Sequence, residues 1–425
     1  MKCLAVCGGR VIDPATATDH ITDLFIHGDK IIAHGEKPSG FSIDETIDAR
    51  NTVVCPGLVD ISARLGEPGT EQKGTIASEA RAAALGGITT LCCLPDTDPV
   101  IDEPATVEFI KRRARDANQA RVLPLGALTR GLQGEQLSEM SALYQEGCPA
   151  MTQANGAIRD TRVLLRAMQY AASLDIPIIL RPQDPWLAGK GCMHEGAIAT
   201  QLGLPGVPAI AETVAIGQIM ALARQARVRV HFSKISSRFS LSLIEQAKSE
   251  GLRVTADVSI NQLYLTEDDL LGFNSQCHVV PPLRSRHDRE VLRQALASGL
   301  LDVICSDHWP HETDAKLAPF PSTEPGISGF DTYFSLLYGL VEQGVIDWAQ
   351  LIRLASARPA DILNIEAGSL AIGQPADISI FDPTVEWQVS PEAMFSSGVN
   401  TPFSGRKLRG RVRCTLINGQ VRQAN

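Results

Sequence analysis

Asp60, Ser62 and Arg64 occupy alternate positions in Asp60-Ile61-Ser62-Ala63-Arg64, directly after the apolar run Val53-Val54-Cys55-Pro56-Gly57-Leu58-Val59. The spacing is that of an Asp-x-His-x-His metal-binding segment with both imidazoles replaced. A serine hydroxyl is a weak neutral ligand, and arginine cannot be deprotonated to bind a divalent cation. A second group with chemical potential is Ser306-Asp307-His308-Trp309-Pro310-His311, where a carboxylate and two imidazoles share one loop. Asp307, His308 and His311 could handle protons or hold one zinc ion, although three ligands from so short a loop still need a fourth group or water. The other histidines are scattered, and no His-x-His or His-x3-His pair occurs among the nine.

Side chains that act together must be brought together by the elements that carry them. The first fifty residues read as short strands with turns: Lys2-Val6, Arg10-Ile12, Asp23-His27, Lys30-His34 and Glu45-Asp48, punctuated by Gly8-Gly9, Gly28-Asp29 and Gly35. Similar strands return at Ala376-Asp382, Leu408-Leu416 and Gln420-Arg422, so both termini are expected to build one small, discontinuous β domain from residues 1–54 and 367–425. Between them, eight apolar runs alternate with helix-compatible stretches. The runs are Val53-Ile61, Ile88-Leu94, Arg121-Leu125, Cys148-Thr152, Ile176-Leu180, Val228-Phe232, Arg253-Val258 and Leu301-Cys305, and the stretches include Pro104-Ala117, Thr161-Leu174, Ala211-Arg224, Phe239-Ser249 and Asp288-Ser298. This predicts an α/β (β/α)8 barrel over 55–366, the size of which suits the fold better than an open doubly wound sheet. In such a barrel, function concentrates just after each strand.

The residues at those positions carry a resemblance. Pro56-Gly57-Leu58-Val59-Asp60, Glu67-Pro68-Gly69, Ala84-Leu85-Gly86-Gly87-Ile88-Thr89-Thr90, Pro281-Pro282-Leu283-Arg284, Ser306-Asp307-His308-Trp309-Pro310-His311 and Gly326-Ile327-Ser328-Gly329 occur in the order and spacing of a dihydroorotase of the amidohydrolase superfamily. The closing stretches Asn400-Thr401-Pro402-Phe403-Ser404-Gly405 and Gly410-Arg411-Val412 are similar to that family's end. The resemblance implies a TIM-type barrel with a small β-sandwich. In active members it implies one or two zinc ions that activate hydroxide against a cyclic amide, with a strand-eight Asp moving protons.

Followed one by one, the ligand positions that the resemblance implies are degenerate here. The two histidines after the first strand are Ser62 and Arg64. The bridging acidic position after the fourth falls at Gln153, with Ala154 as the alternative. The histidines after the fifth and sixth strands are Arg181 and Lys234, and only Asp307 remains. Substrate positions are altered as well: Gly66 and Asp96 stand where the family binds the substrate carboxylate, Val280 replaces an Asn before Pro-Pro-Leu-Arg, and Asn261-Gln262 replaces a His-His pair. No metal, cofactor, catalytic residue or substrate-binding residue is therefore expected; the alternative is one zinc near Asp307, His308 and His311.

Arg64, Arg181 and Lys234 are expected to converge near Asp307, protein charge taking the place of metal charge in an internal ion-pair network. At about 4 Å and an effective dielectric near 20, one such pair is worth roughly 4 kcal/mol before desolvation, enough to organise the loops. A competing reading makes the surplus positive charge a pocket for phosphate, carboxylate or a nucleotide regulator, although no glycine-rich phosphate loop is present.

Composition narrows the partners. In 425 residues, 39 Lys+Arg stand against 48 Asp+Glu, for a net charge of −9 without a basic block, and aromatics make up 5%, which argues against nucleic acid. The ten cysteines lack paired zinc-ribbon spacing and read as reduced, buried thiols. Leu4-Ala5-Val6-Cys7 superficially matches a lipoprotein box, but Met1-Lys2-Cys3 leaves no room for an apolar signal core. No apolar stretch is long enough to span a bilayer, so a soluble, cytoplasmic protein is expected.

The chain is most similar to the dihydroorotase-like, non-catalytic subunits found with bacterial aspartate carbamoyltransferase in pyrimidine biosynthesis. That likeness implies a pseudoenzyme that assembles the carbamoyltransferase catalytic chains, self-associating as a dimer within a heterododecamer. Two other classes stay open: an active cyclic amidohydrolase with a reduced metal site, and an anion- or nucleotide-sensing regulatory subunit.

Overall fold

A computed structural model describes residues 2–423. Eight parallel strands form the barrel: β1 (Leu58–Ala63), β2 (Ile88–Cys93), β3 (Arg121–Pro124, continued by Gly126–Ala127), β4 (Met151–Thr152), β5 (Ile178–Leu180), β6 (Val230–Phe232), β7 (Val254–Ser259) and β8 (Val303–Cys305). Their order is sequential, with Leu58 paired to Ile88, Thr90 to Arg121, Gly126 to Met151, Met151 to Ile178, Ile178 to Val230, Val230 to Val254 and Asp257 to Val303. The ring closes where Ala63 bridges His308 and the Arg64 amide donates to the His308 carbonyl at 2.9 Å. Closure of this kind rules out the open-sheet alternative.

The helices that cover the barrel lie where apolar spacing placed them, including Pro104–Ala117, Thr161–Ser173, Ile210–Ala226, Arg238–Ser249 and Arg286–Ala297. Four of these five starts are set by local chemistry: proline at the first turn of the first, and side-chain caps from Asp160, Ser237 and Ser285. Inside the ring, Val59, Ile61, Cys92, Ile179, Val303 and Cys305 pack with Ala360, Ile362 and Leu363 of the helix Arg358–Leu363, which seals the floor, the end where the strands begin.

The terminal segments form a single eight-stranded sheet, running from Gln420–Arg422 through Lys407–Ile417, Ile378–Gln388, Val53–Pro56, Cys3–Asp13 and Thr18–His27 to Lys30–His34, with Glu45–Asp48 beside Cys3–Asp13. Leu4, Val11, Leu24, Ile26, Val54, Ile378 and Leu416 make its core. Two expected strands, Lys2-Val6 and Arg10-Ile12, prove to be one strand with a bulge between Val6 and Gly9. The expected single run Val53-Ile61 is instead divided. Val53–Pro56 pairs with Ile378–Phe381 in the terminal sheet, and the barrel begins at Leu58. Gly57 makes the transfer between them, since a Cβ there would lie 2.1 Å from Thr89 Cγ2.

Candidate functional site

The residues after the strands meet at the barrel mouth as a set of cations and their partners. Lys234, just beyond β6, extends Nζ to 2.9 Å from Asp307 Oδ1, beyond β8, with side chains 3% and 9% exposed. Both residues have left-handed backbones, φ 60° and 50°, a conformation that costs non-glycine residues energy and persists where surrounding contacts over-determine it. Lys234 is fixed further by its amide, which donates to Asp257 Oδ1 at 2.7 Å. Asp257 in turn accepts from His231 Nε2 at 2.8 Å and from Cys305 Sγ at 3.3 Å, tying three neighbouring strands behind the pair.

Arg64, after β1, takes a different partner from the one expected. Its Nε and Nη2 reach Asp96 Oδ2 at 2.9 and 2.7 Å, and its guanidinium lies 3.7 Å from the Trp309 ring centroid. Charge and stacking together hold it flat across the mouth. Asp96, at a position where the resemblance implied substrate binding, is the counter-ion of Arg64. Arg181, after β5, donates Nη2 to the Asn155 carbonyl at 3.2 Å and Nη1 to Gln183. Burial, with Arg64 nearby, pushes its pKa down to about 10 against the opposing pull of Asp307 and Glu212. The expected convergence on Asp307 is thus partial: Lys234 pairs with it directly, Arg181 feels its charge, and Arg64 is paired elsewhere.

Gln153, after β4, is turned into its own loop, where Nε2 donates to the Leu132 carbonyl at 2.9 Å. Ser62 is buried, and its Oγ has no hydrogen-bond partner among the described residues. Asn261 lies buried in the turn Ile260–Leu263 with neither amide atom bonded, whereas Gln262 donates to the carbonyls of Pro281 and Pro282, next to half-buried Val280.

The alternative zinc cluster is not assembled. His308 Nδ1 accepts from the Gly329 amide at 3.0 Å, leaving Nε2 to donate to Glu79 Oε2 at 3.0 Å, and its ring stacks on Phe330. Glu79 is held below the ordinary carboxylate range: burial opposes its charge, but His308, Ser396 and Ser397 donate to it. His311 Nε2 is taken by the Pro325 carbonyl at 2.9 Å. Both imidazoles are therefore engaged with loops rather than with Asp307. Among the described residues no three His, Cys, Asp or Glu side chains are placed to share a metal ion. The donor set at the strand ends is a hydroxyl, an amide, three cations and a single carboxylate, Asp307, already engaged by Lys234, which does not fit zinc.

The space around this set is small. One cavity, of about 110 Å³, touches Arg64, Gly66, Asp96 and Trp309, and another, of about 50 Å³, touches Gln153, Arg181 and Gln183. Small-molecule sites usually occupy roughly 300–1,000 Å³. Gly66 has φ +79°, and a Cβ added there would meet the Gly74 carbonyl oxygen at 2.4 Å, so the turn has no room for a side chain.

Several contributors escaped the sequence reading. Trp309 has no signal beyond its place in the Ser306–His311 motif, and the signal for Glu79 is only that it is the one carboxylate of Ile76–Leu85 among mostly buried apolar positions. The His231–Asp257 pair had a faint signal, polar residues within otherwise apolar strands.

Residues 51–240 match the dihydro-orotase-like family profile. A dihydroorotase-like protein of Pseudomonas aeruginosa is 48% identical over 418 residues, spanning 98% of this chain and 99% of the relative. A dihydroorotase of Syntrophotalea carbinolica is 39% identical over 421 residues, with 99% of each chain covered. In fold, the chain is similar to the L-hydantoinase (dihydropyrimidinase) from Arthrobacter aurescens, with a TM-score of 0.89 at 22% identity over 100% of this chain and 97% of that one. No helix is long and apolar enough to cross a membrane among the described residues. With near-complete coverage at such identity, the chain belongs to the dihydroorotase-like family.

Proposed function

We propose that this chain is a non-catalytic member of the dihydroorotase-like family, a structural subunit that assembles aspartate carbamoyltransferase catalytic chains in pyrimidine biosynthesis. The observation that carries the non-catalytic reading is the buried Lys234–Asp307 pair. A metal hydrolase needs neutral or anionic donors around its ion and a carboxylate free to take a proton. Here a lysine ammonium engages that carboxylate, and arginines stand at two further strand ends. The altered substrate side argues the same way, because Gly66 lies in a turn without room for a side chain and Arg64 and Asp96 neutralise one another.

The carbamoyltransferase partner, and a heterododecamer containing dimers of this chain, rest on the likeness to assembly subunits. A barrel that keeps its core while its mouth is closed by ion pairs suits selection on fold and surface.

The catalytic half is tested by assaying purified protein for dihydroorotate turnover with added zinc. No turnover above background is expected; zinc-dependent turnover abolished by Asp307→Ala would overturn the reading. Co-expression with the carbamoyltransferase catalytic chain, followed by sizing, tests the assembly half. One large peak containing both chains is expected, and separate elution removes the role.

A further inference from the structure

The barrel floor carries a second concentration of positive charge, far along the axis from the mouth. Arg229 immediately precedes β6, Arg253 immediately precedes β7, and Arg358 opens the helix that seals the floor. All three line a cavity of about 250 Å³ whose wall also includes His231, Thr255 and Asp361. The parallel ladder explains the meeting. Val230 pairs with Val254, so the residues before them emerge side by side at the same end of the sheet.

Each guanidinium is held from one side and left open on another. Arg229 Nη2 reaches the Asp175 carbonyl and lies 3.4 Å from its carboxylate, Arg253 Nη2 donates to Asp175 Oδ1 at 2.9 Å, and Arg358 Nη2 donates to Asp302 Oδ1 at 2.9 Å. Among the described residues, none of the three Nη1 groups makes a hydrogen bond, although Arg358 Nη1 forms an ion pair with Asp361 Oδ2 at 3.6 Å. The Nε groups of Arg229 and Arg358 are buried without an acceptor. Asp302 also receives Lys248 Nζ at 2.6 Å, so four cations share Asp175, Asp302 and Asp361. The inner wall is firm, since His231 is bonded to both Thr255 and Asp257 at 2.8 Å.

We propose that this floor cavity binds a phosphoryl oxyanion, either free phosphate or the terminal group of a phosphate monoester. Three guanidinium groups held by their Nη2 ends and without a hydrogen bond at Nη1 suit a tetrahedral anion with several acceptor oxygens. An anion between them also offsets the positive charge that the shared carboxylates leave over. The cavity volume of about 250 Å³ accommodates phosphate with a small substituent. The site is separate from the barrel mouth and stands whether or not the chain has hydrolase activity.

Calorimetric titration of the full chain with inorganic phosphate, and separately with glycerol phosphate, at constant ionic strength tests the site. Saturable binding is expected. Arg253→Gln, at the most exposed of the three, is expected to weaken it about tenfold, while Arg162→Gln on a remote, exposed helix leaves it unchanged. Binding of phosphate alone identifies the free ion, and binding of both identifies a monoester site. No saturable heat with either ligand, or equal affinity in Arg253→Gln and the unaltered chain, overturns the proposal.

Discussion

Lys234 and Asp307, on strands two apart in the barrel, place Nζ and Oδ1 2.9 Å from one another in a buried pair, and both do so from left-handed backbones. The strain is met from outside the pair: the Lys234 amide is held by Asp257, and the carbonyl of His308, the residue after Asp307, receives the Arg64 amide. Removing one partner of a buried pair leaves the other charge uncompensated, which usually costs about 3–5 kcal/mol. Lys234→Met is expected to lower stability by that amount in urea unfolding. The double variant Lys234→Met with Asp307→Leu is expected to recover most of it. A single variant as stable as the unaltered chain would show that the pair does not organise the mouth.

Metal removal is expected to change nothing. Dialysis against a strong chelator should leave Tm unaltered, and added zinc should not bind in stoichiometric amount, because the strand ends offer cationic, amide or hydroxyl groups and one carboxylate, Asp307, that Lys234 already engages. Elemental analysis together with thermal unfolding checks this. One retained zinc per chain with a chelator-sensitive Tm would contradict it.

Gly66→Arg replaces, on paper, the residue the family uses toward its substrate carboxylate. In this chain it is expected to destabilise without conferring dihydroorotate binding. The backbone sits at φ +79° and the new Cβ would press on the Gly74 carbonyl, so at least the roughly 1 kcal/mol left-handed penalty applies before the clash is counted. Thermal unfolding and ligand titration of the variant are the measurements, and a stable variant that binds dihydroorotate would refute the account of this turn.

His311 gives the fold an acid-sensitive element. Burial pushes its pKa down to about 3, with nearby Lys73, Lys316 and Arg64 acting in the same direction, whereas in the unfolded chain it titrates near its ordinary value of about 6.5. The unfolded chain therefore takes up the proton first, and stability falls as pH drops from about 6.5 toward 3, by up to about 1.4 kcal/mol per pH unit from this residue. His194 and His278, each lowered to about 4 mainly by burial, act in the same sense. Asp60 and Asp331, raised to about 6 by burial, act in the opposite sense. His311→Gln leaves all four in place and can still donate toward the Pro325 carbonyl. Its unfolding free energy, measured in urea between pH 6 and pH 4, is expected to fall less steeply than that of the unaltered chain. Equal slopes would show that His311 is not the titrating group.

The architecture was legible because it follows from patterns local to each segment. Apolar runs alternating with helical spacing marked all eight barrel strands, whereas the caps Asp160 and Ser285 that start two of the helices emerge from the structure. The division at Gly57 was hidden, because Val53–Pro56 and Leu58–Ala63 are equally apolar and only their partners distinguish them. The bulge near Gly8-Gly9 was misread as a turn for a similar reason, since glycine permits either.

At the site, residue identity alone determined that Ser62, Arg64, Arg181 and Lys234 are poor company for a divalent metal, because charge and protonation belong to each side chain wherever it lies. Which carboxylate each cation meets was decided by tertiary structure. Arg64 found Asp96 and Trp309, Lys234 found Asp307, and His308 turned away to Glu79, none of them sequence neighbours of their partners. Such pairings depend on distances of a few ångströms between different strand ends, and only the closing of the barrel sets those distances. The same closure brings Arg229, Arg253 and Arg358 to one floor cavity, although nothing in their sequence spacing unites them.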